Sequence, residues 1–555
     1  MMRIVKSAVS VALLLFSLGV IATIQEGSLF PWIILGTGAA LAVLCGCIAI
    51  NLDRSAFGIL LGTTLMFAVL YRVHIFTFPA SLVGIDSHDF AIWLEQVLES
   101  GGLQGTSAAG FYTDAGGYLT LNAIGALLLG VGSSTAFVLM SVIIGTGTVL
   151  FGAALTYRLV PMFNYTSAAA AATASGFIAA SIRAGYWPIP QSLAAVFFVS
   201  FIFVLTAYVD NFDSRCLFLS LLLLIALATT HKLALIFVVV TLFYVIVLIY
   251  LHSIKQKVPR RAINSICGMV LLSGILLYTQ MSSTGYITSI VYRVVALSNV
   301  SVTQITPTAA VPPMDPFYIG IHSTGYALVL MSIAGIGWMF LATQRPTPEQ
   351  IILLGAASAI VTLGFSGMIV KEFGFRRAMD YGGVVLVVLI LTSVVTLYDR
   401  RALRVPCSVS MAGIVAILLI ASLAAPAATP DYEHYPRDYL TSSEYNAVTF
   451  ADSHVTGEVH SDFLTTRVGA PAGLPDEQRE PTYQSADSSH FNGKQVEGKY
   501  VLLRPTVDVY DTGPLPTEAP MYRLTWDPEM AYNKSYHRTY SSGGGVIYTN
   551  QTTTS

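Results

Sequence analysis

Runs of about 20 apolar residues recur along the first 425 positions, each long enough to carry a helix across a bilayer. They fall near 5–24, 29–50, 56–78, 134–156, 166–183, 190–208, 215–230, 232–251, 262–280, 323–343, 350–370, 380–398 and 406–425. Hydrocarbon offers no water to backbone amides, so runs of this kind are stable there as helices. Composition agrees, because 11% of the 555 residues are charged against about 25% in a soluble domain. The expected fold class is an all-α polytopic membrane domain of about 13 spans plus a short helix at 117–131, followed by a small C-terminal α/β domain. The domain boundary falls between 1–425 and 426–555, with soluble-looking loops at 79–116 and 281–321.

Basic residues in short connectors set the orientation. Lys255, Lys257, Arg260 and Arg261 mark one cytoplasmic loop, and Arg400, Arg401 and Arg404 mark another. One further span then puts the tail outside. Counting backwards places 281–321, the Lys371–Arg377 turn, the His231–Lys232 turn and the Ile182–Pro190 turn outside as well. Counting forwards from a cytoplasmic N-terminus agrees for 79–116 only if 117–131 does not fully cross. The net charge of −2 divides accordingly: 14 acidic and 20 basic residues lie in 1–425, and 17 acidic and nine basic in 426–555. The five cysteines all lie in or beside apolar runs, so the tail folds without disulfides. A multi-pass protein of the cell (plasma) membrane with an extracytoplasmic C-terminal domain is expected.

The densest chemistry lies in Gly84–Gly102. Phe90, Trp93, Leu94, Val97 and Leu98 follow helical spacing, Glu95, Gln96 and Glu99 take the other face, and Gly101–Gly102 ends the pattern. An amphipathic helix lying along the membrane interface is expected, with Asp86 and Asp89 at its start. Two readings of that pair stand together. Asp86 is suited to an N-cap and Asp89 to an N3 acid favoured by the helix dipole. A carboxylate pair, with His88 beside it, is also suited to take a proton from an attacking hydroxyl. If a divalent cation (Mg or Mn) serves the reaction, Asp86 and Asp89 are its expected ligands.

Other polar residues collect on the same expected face. Lys371, Arg376 and Arg377, with Glu372 and Asp380 alongside, offer cationic donors at headgroup depth. His231 and Lys232 interrupt an otherwise continuous apolar stretch, which suits either a hairpin turn or a phosphate contact. Arg183, Tyr186 and Trp187 suit a sugar- or lipid-facing wall or an interfacial aromatic belt. In the tail, a short helix is expected at 442–451 and strands at Val455–Phe463, Lys499–Val509 and Gly545–Tyr548.

An acidic motif after an early span, an interfacial helix ending in glycine, and a Tyr/Gly-rich stretch from Tyr112 to Tyr118 together resemble the GT-C superfamily of integral-membrane glycosyltransferases. Further points of likeness are the turn from Gly185 to Pro190, Thr230–Lys232, Phe375–Tyr381, and Tyr532–Tyr536 with Gly544–Tyr548. The chain is most similar to the protein-mannosyltransferase and aminoarabinose-transferase branch and its archaeal-type members. No Trp-Trp-Asp-Tyr-Gly motif occurs, which argues against the oligosaccharyltransferase branch. The resemblance implies transfer of a sugar from a polyprenyl (dolichyl)-phosphate donor to an extracytoplasmic glycan, protein or lipid, with membrane lipids as surroundings and no nucleic acid. It also implies Asp86 and Asp89 as catalytic residues. His88, Arg183, Tyr186, Trp187, His231, Lys232, Lys371, Arg376 and Arg377 would then bind substrate. Two alternatives are a flippase or transporter of lipid-linked saccharides, and a ligase or polymerase of them. The first predicts inverted repeats and midplane charges, and neither is visible.

Overall fold

The computed structural model describes residues 1–26, 30–77, 79–103, 116–252, 258–283, 316–366, 374–402, 404–423, 437, 439–469, 481–485, 499–505, 509–511, 521–523 and 527–550. Lys371, Glu372, Tyr112 and most of the 281–321 loop lie outside them. The chain enters through α1 (Met2–Glu26), α2 (Phe30–Ile48) and α3 (Arg54–Thr77). Next come α4 (Ile85–Ser100), α5 (Gly116–Leu129), α6 (Ser133–Leu159), α7 (Asn164–Phe177) and α8 (Ala179–Tyr186). The bundle is completed by α9 (Pro190–Asn211), α10 (Ser214–Thr230), α11 (Lys232–Leu251), α12 (Arg260–Ser283), α13 (Pro316–Thr343), α14 (Pro348–Ser366), α15 (Phe375–Asp399) and α16 (Cys407–Leu423). Among the described residues nine helices are long and apolar enough to cross a membrane, and α2, α5, α10 and α16 contain shorter apolar helices. This is a multi-pass membrane protein.

The 14 residues of α5 make a rod of about 21 Å, short of the roughly 30 Å hydrocarbon core. Its start packs on the end of α10, where a Cβ on Gly117 would fall 2.5 Å from Thr229 Oγ1. The following helix also starts at that end: Ser133–Thr135 of α6 share a cavity with Phe76, Pro79 and His88. Both ends of α5 therefore face the same end of the bundle. The opposite end gathers Arg158, Asp210, Arg345, Glu349, Asp399 and Arg400 around a polar cavity of about 430 Å³, with Arg158 and Asp210 paired at 2.6 Å.

The expected span at 166–183 is two helices. Ile178 is extended (φ −64°, ψ 146°) between α7 and α8. Arg72, buried on α3, supplies the partners that such a break requires in an apolar bundle. Its Nη2 donates to Gly176 O at 3.3 Å and Ser181 O at 2.9 Å, and its Nη1 to Ala68 O at 2.9 Å. Room for the guanidinium comes from Gly145 and Gly185, where a Cβ would approach Arg72 Nε to 2.3 and 2.1 Å. Ser141 donates a further hydrogen bond to Gly185 O. A polar clamp thus sets the direction of α8.

The tail is a small α/β domain. Strands β1 (Glu458–Ser461), β2 (Thr482–Ser485), β3 (Tyr500–Leu503), β6 (Tyr536–Ser541) and β7 (Val546–Asn550) form a sheet in the order β2-β1-β3-β7-β6. The β1 strand is parallel to β2 and β3, and the β3-β7-β6 pairings are antiparallel. Strands β4 (Val509–Asp511) and β5 (Met521–Arg523) pair separately. Helices α17 (Ser442–His454) and α18 (Phe463–Gly469) cover one sheet face, through a core containing Val448, Leu464, Leu502 and Ile547. On the other face α19 (Pro528–Ser535) packs Tyr532 against Val501 and Tyr548. The expected helix at 442–451 extends to His454, and the expected strand from Val455 stops at Ser461. Asp462 ends it, because its carboxylate accepts from Thr465 N at 3.2 Å and so caps α18.

Candidate active site

The α4 helix forms where its apolar residues predict. Phe90, Trp93, Leu94 and Val97 are buried against α5 and α6, and Gly101 ends it in the left-handed conformation (φ +71°). Its N-cap is Gly84, with no side-chain cap, so Asp86 lies within the first turn instead of capping it. Gly84 is required twice. Its φ is +91°, and a Cβ there would lie 2.6 Å from the Trp187 indole. The α8–α9 turn therefore sits directly on the start of α4.

The start of α4, the α8–α9 turn, the α10–α11 turn and the start of α15 meet here. On α8, Arg183 is ion-paired with Asp380 of α15, whose Oδ2 also accepts from Gln191 Nε2 at 2.7 Å. Tyr326 of α13, itself buried, lies within electrostatic range of both Arg183 and Asp380. Between α10 and α11, His231 Nδ1 lies 2.7 Å from Tyr381 OH, and Lys232 is buried beside it. The Tyr381 ring stacks on Phe237 with centroids 4.6 Å apart. Arg377 is central, acting electrostatically on Asp86, His231, Asp380 and Tyr381. Arg376 lies over the Trp187 ring at 5.3 Å and Arg183 over the same ring at 5.9 Å. Two buried polar atoms here, Asp380 Oδ1 and Trp187 Nε1, have no hydrogen-bond partner among the described residues.

The acidic pair divides. Asp89 is buried and paired with Arg467 of α18 at 3.2 Å. Asp86 is partly exposed. Burial raises its pKa above the usual carboxylate range, and the cations of Arg467 and Arg377 oppose that rise. Residues i and i+2 leave a helix in different directions, and His88 is directed away from the pair. Its Nε2 lies 3.2 Å from Leu82 O, and burial pulls its pKa down to about 4. Tyr186 is buried in the main core at 2% exposure, so the ring that meets the site is that of Trp187. Among the described residues no group of three or more His, Cys, Asp or Glu is placed to hold a metal ion. Arg467 pairs with the Asp89 carboxylate, so a cation held by Asp86 and Asp89 would have to share that carboxylate with the guanidinium.

Three contributors escape local sequence reading. Arg72 positions α8, Gln191 supports Asp380, and Arg467 reaches Asp89 across 378 positions. The signal available for Arg72 was an arginine within an apolar run. For Arg467 no local pattern exists. The tail is tied to the same end of the bundle by two further bonds, Ala80 N to Leu440 O at 3.3 Å and Leu440 N to Ser81 Oγ at 2.8 Å.

No protein-family model matches the chain, and no curated protein matches it. Among solved structures it is similar to the oligosaccharyltransferase of Archaeoglobus fulgidus in the apo form, with 14% identity and a TM-score of 0.48 over 80% of this chain and 69% of that one. The same protein with Zn and sulfate gives 12% identity and 0.47 over 88% and 73%. The arabinofuranosyltransferase AftD from Mycobacteria gives 13% identity and 0.44 over 90% and 42%. Likeness of this degree assigns no reaction or ligand to the chain and selects no branch.

Proposed function

We propose that the protein is a membrane glycosyltransferase that moves a sugar from a polyprenyl-phosphate donor to a hydroxyl on an acceptor outside the cell. The observation that carries the reading is the convergence of one partly exposed carboxylate, Asp86, with Arg377, the His231–Lys232 turn and the Arg183–Asp380 pair at one end of the bundle. A sugar phosphate needs these two things side by side, a base for the incoming hydroxyl and cations for the departing phosphate.

In the proposed reaction the acceptor oxygen attacks the anomeric carbon, and its proton passes to the Asp86 carboxylate. The anomeric carbon–oxygen bond to phosphate breaks with inversion, and the electron pair leaves on polyprenyl phosphate. Arg377, Arg376 and Lys232 stabilise that leaving group, with Arg offering a planar fork to its oxygens. Trp187, under the guanidiniums of Arg376 and Arg183, holds those two cations at the site. Asp89 anchors α4 to the tail through Arg467 and leaves the base role to Asp86. With α5 lying to one side, the bundle makes 13 crossings and the tail lies extracytoplasmic. Transport of an intact lipid-linked saccharide is disfavoured, because the polar groups sit at one end and not at the midplane.

The test is transfer by purified protein from polyprenyl-phosphate mannose or glucose to a soluble acceptor. Asp86→Asn should lower turnover by about 10²–10⁴-fold with donor affinity retained, and Asp89→Asn should cost less. Wild-type turnover from Asp86→Asn would exclude it as the base.

A further inference from the structure

The tail sheet outruns the helix that covers it, and the uncovered part is a cavity of about 760 Å³. Strand register explains its lining. Tyr500 of β3 pairs with Thr549 of β7, which pairs with His537 of β6. Paired residues share a sheet face, so these three stand in a row. They lie on the face that α17 covers, because Leu502 and Ile547, two residues along, belong to the α17 core. The helix stops at His454, one row short of Tyr500, Thr549 and His537.

Two features shape the opening. A bulge in β6 between Arg538 and Tyr540 inserts Thr539, and bulges re-aim side chains. Here the Thr539 hydroxyl meets that of Thr549. Two stacked rings line the wall, Phe450 lying 4.4 Å from the exposed His454 at an interplanar angle of 10°, and Tyr540 backs Phe450 at 4.2 Å and 17°. The Tyr500 ring meets the Lys499 ammonium at 5.3 Å. No carboxylate and no guanidinium lines the cavity among the described residues. Its chemistry is therefore ring faces together with hydroxyl, imidazole and amide groups that donate and accept.

We propose that this cavity binds a neutral saccharide. A pyranose presents CH-rich faces that suit aromatic walls and hydroxyls that suit Thr, His and Asn side chains. Among the described lining residues no carboxylate or guanidinium is offered to a charged ligand, and the Lys499 ammonium lies over the Tyr500 ring. The 13 residues of α17 put the cavity about 20 Å from the helix start, where Tyr445 lines a second cavity with Pro79 and His88 at the membrane bundle. An extended acceptor glycan would reach from one to the other. Its use as acceptor rests on the transferase reading, whereas saccharide binding does not.

The experiment is saturation-transfer NMR on the full-length protein in detergent, with mannotriose, maltotriose and chitotriose as probes. At least one probe should bind, and His537→Ala and Tyr500→Leu should each weaken it by about tenfold or more. Thermal unfolding matched to wild type identifies variants that remain folded, and Thr539→Val, at an exposed strand position, gives an independent third lesion. Asp86→Asn should leave the affinity within about twofold. No signal at millimolar probe, a signal unmoved by all three tail variants, or one abolished by Asp86→Asn would overturn the site. A cavity that takes short unstructured peptides and no sugar would overturn it equally. If binding follows the tail variants while no sugar donor supports transfer, the transferase reading fails and this site stands.

Discussion

Both regions of the molecule bury a carboxylate against an arginine, and they do it to different degrees of completion. In the tail, Asp462 is saturated. It accepts from Arg504 Nε at 2.9 Å, Arg504 Nη2 at 2.7 Å, Thr465 Oγ1 at 2.7 Å and Thr465 N at 3.2 Å. In the membrane bundle, Asp380 takes both its donors, Arg183 and Gln191, on one oxygen. Its other oxygen is buried without a partner among the described residues. A saturated buried pair fixes a shape. One with spare capacity at the mouth of a helix bundle, next to Arg377 and Trp187, is the kind of group that completes its bonding with a ligand.

The largest effect expected from this contrast is in the tail. Asp462→Ala takes from buried Arg504 both of its hydrogen bonds to that carboxylate and removes the α18 cap, a loss of about 3–5 kcal/mol. Limited proteolysis should cut the tail first while the bundle stays resistant. The pH dependence has a definite sign. Burial raises the Asp462 pKa, but Arg504 and the Thr465 hydrogen bonds overcome it and leave the pKa below the ordinary carboxylate value. The contribution of a group so depressed is fully present above the unfolded value of about 3.9 and is lost as pH falls through the folded one. A tail whose acid unfolding is the same with and without Asp462 would break the comparison.

Next in size is Arg72→Met in the bundle. It removes the Arg72 donor from the carbonyls of Gly176 and Ser181, about 1–3 kcal/mol where no other donor replaces it, and releases α8. The expected signature is a lower thermal midpoint for the detergent-solubilised bundle. Transfer should be lost more than Asp462→Ala loses it, because Arg183 and Trp187 ride on α8. Equal losses of transfer from the two variants would mean that the bundle and the tail position the site alike.

What the sequence made legible follows the same division. Charges that interrupt apolar runs are conspicuous, so Asp86, Arg183, His231, Lys232, Arg376 and Arg377 could be picked out as one face, and the structure gathers them at one end of the bundle. Tyr186 and His88 show the limit of that reasoning. Tyr186 adjoins Trp187 and His88 adjoins Asp89, and in each case the helix turns the side chain elsewhere. The helix break at Ile178 was hidden because its cause is tertiary. An uninterrupted apolar stretch reads as one helix until an arginine from another helix supplies partners for its carbonyls. In the tail, strands of three to six residues carry too little periodicity to be found singly. That leaves β2, β5 and β6 unforeseen, with the bulge at Thr539, and the single strand expected at Lys499–Val509 is β3, which stops at Leu503, and the first residue of β4.

The smallest expected effect tests the joint between the regions. Arg467 belongs to the tail, but its cation acts on both acidic residues of α4, by direct contact with Asp89 and at longer range on Asp86. Burial holds the Asp86 pKa up and Arg467 pulls it down. Removing that cation in Arg467→Gln should therefore raise the pKa further. If Asp86 is the base, activity falls as pH drops through this pKa, so the acid limb of the kcat/KM profile should move to higher pH. The plateau at high pH should change little, since the carboxylate is ionised there in both proteins. Arg467→Lys keeps a charge and should move the limb back towards wild type. A purely structural role for Arg467 predicts the opposite pattern, a uniform loss at every pH that Lys does not correct. An unmoved limb with a normal plateau would mean that the tail rests on the site without tuning it.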